Sequence, residues 1–269
     1  MLGNIFKGLE KYGLDKTKGI DIYNDGEQID IEHKTIVEKE ALYDKSYICP
    51  VCKSKFKDKA VKSSRQRILS IEYDLRPVYD YFEMYKYDVV VCPQCGYGAL
   101  NSVFTKITPI QAKVIEQKIG TKFNAETYPD IYDYKTSVLR YKLALLNAVL
   151  KGAPSIEKAY LCLKLKWLFD VAIESIEDDN HPEVIEYRQQ KDNITEQALK
   201  GFLDAYLKGH FSSFGFDESK LMYIIGQLYS ELGQDKEAYE WFTKVASYAG
   251  ANFRLRDKAR DRREELRNV

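Results

Sequence analysis

Four cysteines carry the sharpest chemical signal in the chain. Cys49 and Cys52 sit in YICPVCKSKF, and Cys92 and Cys95 sit in YDVVVCPQCGYGAL, so each pair is a CxxC and 39 residues separate the pairs. Two residues between thiols let one tight turn aim both sulfurs at one ion. Two such turns complete a tetrahedron, the geometry zinc takes in closed structural sites. Pro50 and Pro93 stiffen the turns. Gly96 follows the second pair, where the missing Cβ lets backbone N–H groups approach sulfur. Lys53 stands at the matching place after the first pair and is less suited to it. The spacing predicts one structural Zn2+ held by Cys49, Cys52, Cys92 and Cys95. Four protein thiolates leave no open coordination position, which argues against metal catalysis. Iron in a rubredoxin-like site would use the same ligands. A redox-active CxxC needs a helix start in a βαβ unit, and that context is not evident around either pair.

The gap between the pairs exceeds the roughly 15–20 residues usual for this pattern. Residues 63–87 are therefore expected to hold an inserted strand or loop. The fifth cysteine, Cys162, lies in AYLCLKLKWLF, an apolar helical stripe, and reads as a buried core residue.

A basic run follows the first pair. Residues 53–67, KSKFKDKAVKSSRQR, hold seven basic residues and one acid. Lys53, Lys55, Lys57 and Lys59 alternate as on one face of an extended strand, opposite Ser54, Phe56, Asp58 and Ala60. Lys55, Lys57, Lys59, Lys62, Arg65 and Arg67 are the candidate phosphate contacts of a nucleic-acid surface. Two plainer readings compete. Lysines offset the negative charge of a zinc ion with four thiolates, and lysines on an edge strand block aggregation. Tyr73, Tyr79, Tyr81, Phe82, Tyr85 and Tyr87 would suit base stacking. The acids interleaved with them, Asp74, Asp80, Glu83 and Asp88, weaken that reading.

The elements that must position these residues divide into three regions. Residues 1–40 form an N-terminal extension with a helical start and a short hairpin signalled by Asp25-Gly26, Ile29 and Ile31. Residues 41–105 are rich in β-branched and aromatic residues and read as a small zinc-ribbon-like β domain. From 106 to 269 the pattern is helical. Thr108, Pro109 and Gln111 spell a capping box with proline at the first helical position, and Gly120 suits a stop. Further helices are expected near 130–151, 155–177, 182–208, 217–232, 235–249 and 252–267. The fold class is α+β, a zinc-ribbon-like front followed by an all-helical, tetratricopeptide-like array.

That last term rests on residues 219–250. Gly226 and Ala238 are small where two helices approach, and Tyr229 and Phe242 fill the space beside them. A weaker copy spans 141–170, with Ala144 and Ala159 at the small positions. Such repeats need neighbours to bury their faces, and the remaining helices would supply them.

Composition narrows the function classes. Of 269 residues, 41 are Lys or Arg and 41 are Asp or Glu, so no global basic field favours nucleic acid. No apolar run approaches the roughly 20 residues of a transmembrane helix. The start MLGNIFKGLEKYG does not read as a signal peptide, and a cytoplasmic location is the default expectation. The three histidines, His33, His181 and His210, lie in separate contexts. None sits in a zinc-protease motif, and no nucleotide-binding or nucleophile-elbow motif is present. The acidic cluster Glu174, Glu177, Asp178 and Asp179 reads as a solvated helix end.

Taken together, LYDKSYICPVCKSKFKDKAVKSSRQRI (42–68), YDVVVCPQCGYGAL (87–100) and the helices ending in RLRDKARD (254–261) resemble a bacterial family, the domain of unknown function 2225 family. The resemblance covers roughly residues 40–262. It implies a zinc-ribbon-like front and a tetratricopeptide-like back, with no assigned activity. The expected function is a non-catalytic zinc-binding scaffold or adaptor that binds a protein or peptide partner through its helical surface. A nucleic-acid adaptor using the basic run is the alternative, and an enzyme of unassigned class is the least supported.

Overall fold

In the computed structural model, short strands pair across turns that the sequence marks plainly. The structure describes residues 38–65, 67–212 and 214–267. The helical start and hairpin read within 1–40, with His33, therefore lie outside the described residues, apart from a four-residue helix α1 (Glu38–Ala41). Strand β1 (Leu42–Ile48) runs antiparallel to β2 (Lys55–Val61), with Leu42 opposite Val61 and Ile48 opposite Lys55. The turn between them is the first CxxC. Strands β3 (Ile68–Ile71) and β4 (Pro77–Tyr79) form an inserted hairpin within 63–87. Strands β5 (Val89–Val91) and β6 (Gly98–Leu100) pair around the second CxxC. The β segments are thus three two-stranded sheets among the described residues.

Helices follow, several of them started by a recognisable device, and the fold class is α+β. In α2 (Pro109–Ile115) the Thr108 side chain accepts from the Gln111 N–H, and the Gln111 side chain accepts in return from the Thr108 N–H. A π-helical turn (Glu116–Gly120) ends it. Asp133 caps α3 (Tyr134–Leu150), and Asp217 caps α6 (Glu218–Glu231). Proline stands at the first position of α5 (Pro182–Leu207). The remaining helices are α4 (Ser155–Glu174), α7 (Asp235–Ser247) and α8 (Phe253–Arg267). Sequential neighbours pack together: α4 lies against α3 and α5, and α7 against α6 and α8.

The β5–β6 hairpin is the hinge between two hydrophobic clusters. Successive side chains on a strand point to opposite faces. Val89 and Val91 accordingly enter the large helical core, whereas Val90 joins the cluster around the cysteines. Leu100 and Ala99 split the same way on β6. Gly98 admits α3: a Cβ there would meet the Ala144 backbone nitrogen at 3.4 Å. The described residues belong to one compact unit.

Charges buried in this unit are paired. Asp58 of β2 and Arg140 of α3 are both almost fully buried, with Arg140 Nη2 2.6 Å from Asp58 Oδ2. The same carboxylate accepts from the Val91 N–H at 3.1 Å and from the Tyr132 hydroxyl. Arg140 Nη2 also donates to the Val89 carbonyl at 2.8 Å, and the guanidinium lies 4.4 Å from the ring centres of both Tyr128 and Tyr132. A second hub sits on α4. Lys166 Nζ lies 2.8 Å from Asp74, 2.9 Å from Glu231 and 3.0 Å from Asp170. Burial works against its charge, but Glu231, Asp74 and Asp170 outweigh it and hold the ammonium above its usual range. This hub ties the β3–β4 turn to α4 and α6.

Removing one partner of a buried pair leaves a stranded charge and typically costs about 3–5 kcal/mol. Arg140→Ala should lower the unfolding free energy measured in urea by an amount in that range, seen as a lower midpoint. A midpoint within error of the parent would show that the pair makes no net contribution.

Candidate metal centre

The two CxxC turns are built on one local plan. Cys49 N–H donates to Ser54 O at 2.9 Å and Lys53 N–H to Cys49 O at 3.0 Å. In the second turn Cys92 N–H donates to Tyr97 O at 2.8 Å and Gly96 N–H to Cys92 O at 3.0 Å. This curl needs a left-handed residue after the second cysteine. Gly96 supplies it with φ +69°, and Lys53 adopts φ +64° in the same place. Lys53 is therefore part of the turn rather than of the strand face on which alternation placed it. Its ammonium donates to the Pro50 carbonyl at 2.7 Å.

Back to back, the turns bring all four sulfurs together. Their Sγ atoms lie within 4.8 Å of one another, with Cys49–Cys95 and Cys52–Cys92 each at 3.6 Å. A tetrahedral ion at about 2.3 Å from each thiolate spaces the sulfurs about 3.8 Å apart, so the cluster is positioned to hold one metal ion. Cys49, Cys92 and Cys95 are buried and Cys52 is half-buried. The chemistry of the donor set fits a cation. Hydrogen bonding to Cys92 and burial push the Cys49 thiol up to about 12. The thiols of Cys49 and Cys95, turned toward Cys92, hold that group well below the usual thiol range. A bound divalent ion would take the place of the thiol protons in this cluster. An ion held by all four thiolates would have a closed coordination sphere.

Surrounding elements hold the turns in place. Asn147 of α3 donates Nδ2 to Gly96 O at 2.9 Å. Glu126 N–H donates to Pro93 O at 3.0 Å, and the Tyr97 hydroxyl to Phe104 O at 2.9 Å. Phe123 covers Gly96 so closely that a Cβ there would lie 2.5 Å from its ring.

The basic run is dispersed in its engagements. Lys55 and Lys57 are exposed on β2, and Arg65 is exposed in the short 3-10 turn that follows it. Lys59 is held between Asp44 and Asp130, 2.8 Å from each, and those hydrogen bonds, Asp130 first, raise its pKa. Lys62 donates to the Glu40 carbonyl, and Arg67 lies 3.6 Å from Asp80. Of the repeat residues, Gly226 abuts Trp241 and Phe242, Ala238 and Phe242 are buried, and Tyr229 packs at the edge of the core. His181 caps α5, accepting from the Glu183 N–H, while His210 follows the far end of that helix. Glu174 pairs with Arg76 and Asp179 with Arg188. Cys162 is buried in α4. The residues that sequence reading passed over are Asp58, Arg140 and Asn147, which brace the site from behind. A charged residue inside an apolar helical face was the available signal for Arg140.

The family model described as "Uncharacterized protein conserved in bacteria (DUF2225)" matches residues 42–266, and the chain belongs to that family. No curated protein and no solved structure matches the chain.

Three variants test this geometry. Cys92→Ser should abolish metal binding measured by elemental analysis and lower the melting temperature, whereas unchanged metal content would exclude Cys92 as a ligand. Lys53→Gly relieves a left-handed residue worth about 1–2 kcal/mol and should raise thermal stability. Gly96→Ala should lower it, through both the backbone conformation and the Phe123 clash.

Proposed function

We propose that this chain is a non-catalytic, zinc-stapled scaffold whose helical surface receives a protein partner. The observation that carries the reading is the closed four-cysteine cluster, seated on a hairpin whose alternate residues enter the helical core. Zinc is the ion that suits it, since thiolates favour a soft or borderline ion and zinc takes a tetrahedral sphere without redox change. Binding energy at such a site is folding energy. A cytoplasmic setting belongs to the same proposal, because reduced thiols persist there and the five cysteines are all free. No helix among the described residues is long and apolar enough to cross a membrane.

The partner surface is assigned to α3. Leu139, Leu146 and Val149 are 57%, 48% and 55% exposed. With Lys142 between them they recur at the alternating three- and four-residue spacing of a coiled-coil seam, which suits an amphipathic helix of a partner. The close α6–α7 approach at Gly226, Ala238 and Phe242 supports a tetratricopeptide-like array behind that face. The nucleic-acid reading through Lys55, Lys57, Lys59, Lys62, Arg65 and Arg67 is the rival, and it draws less support because Lys59 is already committed to Asp44 and Asp130.

Native protein purified with and without nuclease separates the two. The scaffold reading expects companion proteins that survive nuclease and are lost on Leu139→Lys/Leu146→Lys, with melting temperature and zinc content retained. Companions that vanish with nuclease, or after charge reversal at Lys55 and Lys57, would overturn it in favour of nucleic acid.

A further inference from the structure

The four sulfurs are not equivalent. Cys49, Cys92 and Cys95 are buried, whereas Cys52 is half-buried, so Cys52 is the corner of the cluster nearest solvent. Ser54 lies beside that corner. Its Oγ is 3.0 Å from Cys52 Sγ and 3.4 Å from Cys92 Sγ, one sulfur from each CxxC turn.

Thiolates around a divalent ion retain excess negative charge, and hydrogen bonds to sulfur absorb part of it. Backbone groups serve the buried sulfurs: Val51 and Cys52 N–H donate to Cys49, Gln94 N–H to Cys92 and Tyr97 N–H to Cys95. The second turn carries Tyr97 where the first carries Ser54, and the Tyr97 hydroxyl goes away from the cluster to Phe104 O. A hydroxyl on sulfur is therefore a property of the first turn, on the side where solvent approaches.

We propose that Ser54 is a positioning residue for the bound ion and sets the rate at which that ion leaves. Its single proton is shared between the Cys52 and Cys92 thiolates, which ties the two turns together at the most exposed sulfur. Without it Cys52 is the ligand most readily displaced, because water or a chelator reaches that sulfur first. The inference rests on the metal reading above.

The test uses the full chain as wild type, Ser54→Ala, Ser54→Thr and Ser54→Val, each loaded with zinc. Release is followed with a chromophoric chelator. The thiolate-to-metal charge-transfer band is recorded after cobalt substitution. Outer partners of metal ligands commonly change affinity by about 10–100-fold, so Ser54→Ala should release zinc about tenfold faster at unchanged stoichiometry. Its cobalt band should move to longer wavelength, since a thiolate without a hydrogen bond gives up charge more easily. Ser54→Thr should restore both readouts and Ser54→Val should not. That pair compares hydroxyl with methyl at constant volume should the alanine variant fold poorly. Equal release rates and bands for the threonine and valine variants would overturn the role of the hydroxyl while leaving the metal site standing. A wild-type chain that binds no zinc would instead remove the metal reading itself.

Discussion

The carboxylate of Asp58 is the point on which the architecture turns. It leaves β2, the second strand of the first hairpin, and is satisfied by the second hairpin through the Val91 N–H and by α3 through Arg140. Arg140 returns to the second hairpin at Val89 O. Three elements from distant parts of the sequence therefore meet at one ion pair. A buried pair repays its desolvation only when the surrounding hydrogen bonds are well made, and here the pair also fixes register. Val89 and Val91 are held with their side chains toward the helices, which leaves Val90 to face the cysteines. A one-residue slip of β5 would exchange those faces.

The cluster of thiols depends on that arrangement. Each CxxC turn is a local structure, closed by its own backbone hydrogen bonds. The distance between the turns is not local, and it is set by the strands that flank them and by α3. Asn147 and Arg140 lie two turns apart on α3, one holding the Gly96 carbonyl and the other the β2–β5 junction. The helix thus works as a splint for the metal centre. Lys166 plays a related part on α4, where an ammonium fills a cage of three carboxylates and fastens the inserted hairpin to the helices.

What the sequence made legible was the local chemistry. CxxC spacing located the four-thiol cluster because two thiols in one turn have few other geometries. Capping residues located α2 because Thr108 and Gln111 satisfy each other's backbone within four residues. The inserted segment was expected from the gap alone, and β3–β4 fills it. What stayed hidden was tertiary. Asp58 sits among lysines in a strand that reads as solvated, yet it is the buried residue of β2. Lys164 and Lys166 look like surface positions of an amphipathic helix, but α4 is covered on nearly every side and its lysines find acids from other elements. Whether a charge is buried depends on what arrives from elsewhere in the chain, and alternation cannot report that. Lys53 was misplaced for a related reason: the turn's left-handed demand overrode the strand pattern.

The splint has a temporal consequence. A ribosome delivers the first CxxC turn well before α3, and synthesis proceeds at about 5–20 residues per second. Until α3 emerges, the groups that seal the cluster from behind do not exist. For those seconds the nascent thiols stand open to oxidants and to competing ions. The cluster is thus most open to a wrong ion during synthesis, before α3 splints the two turns.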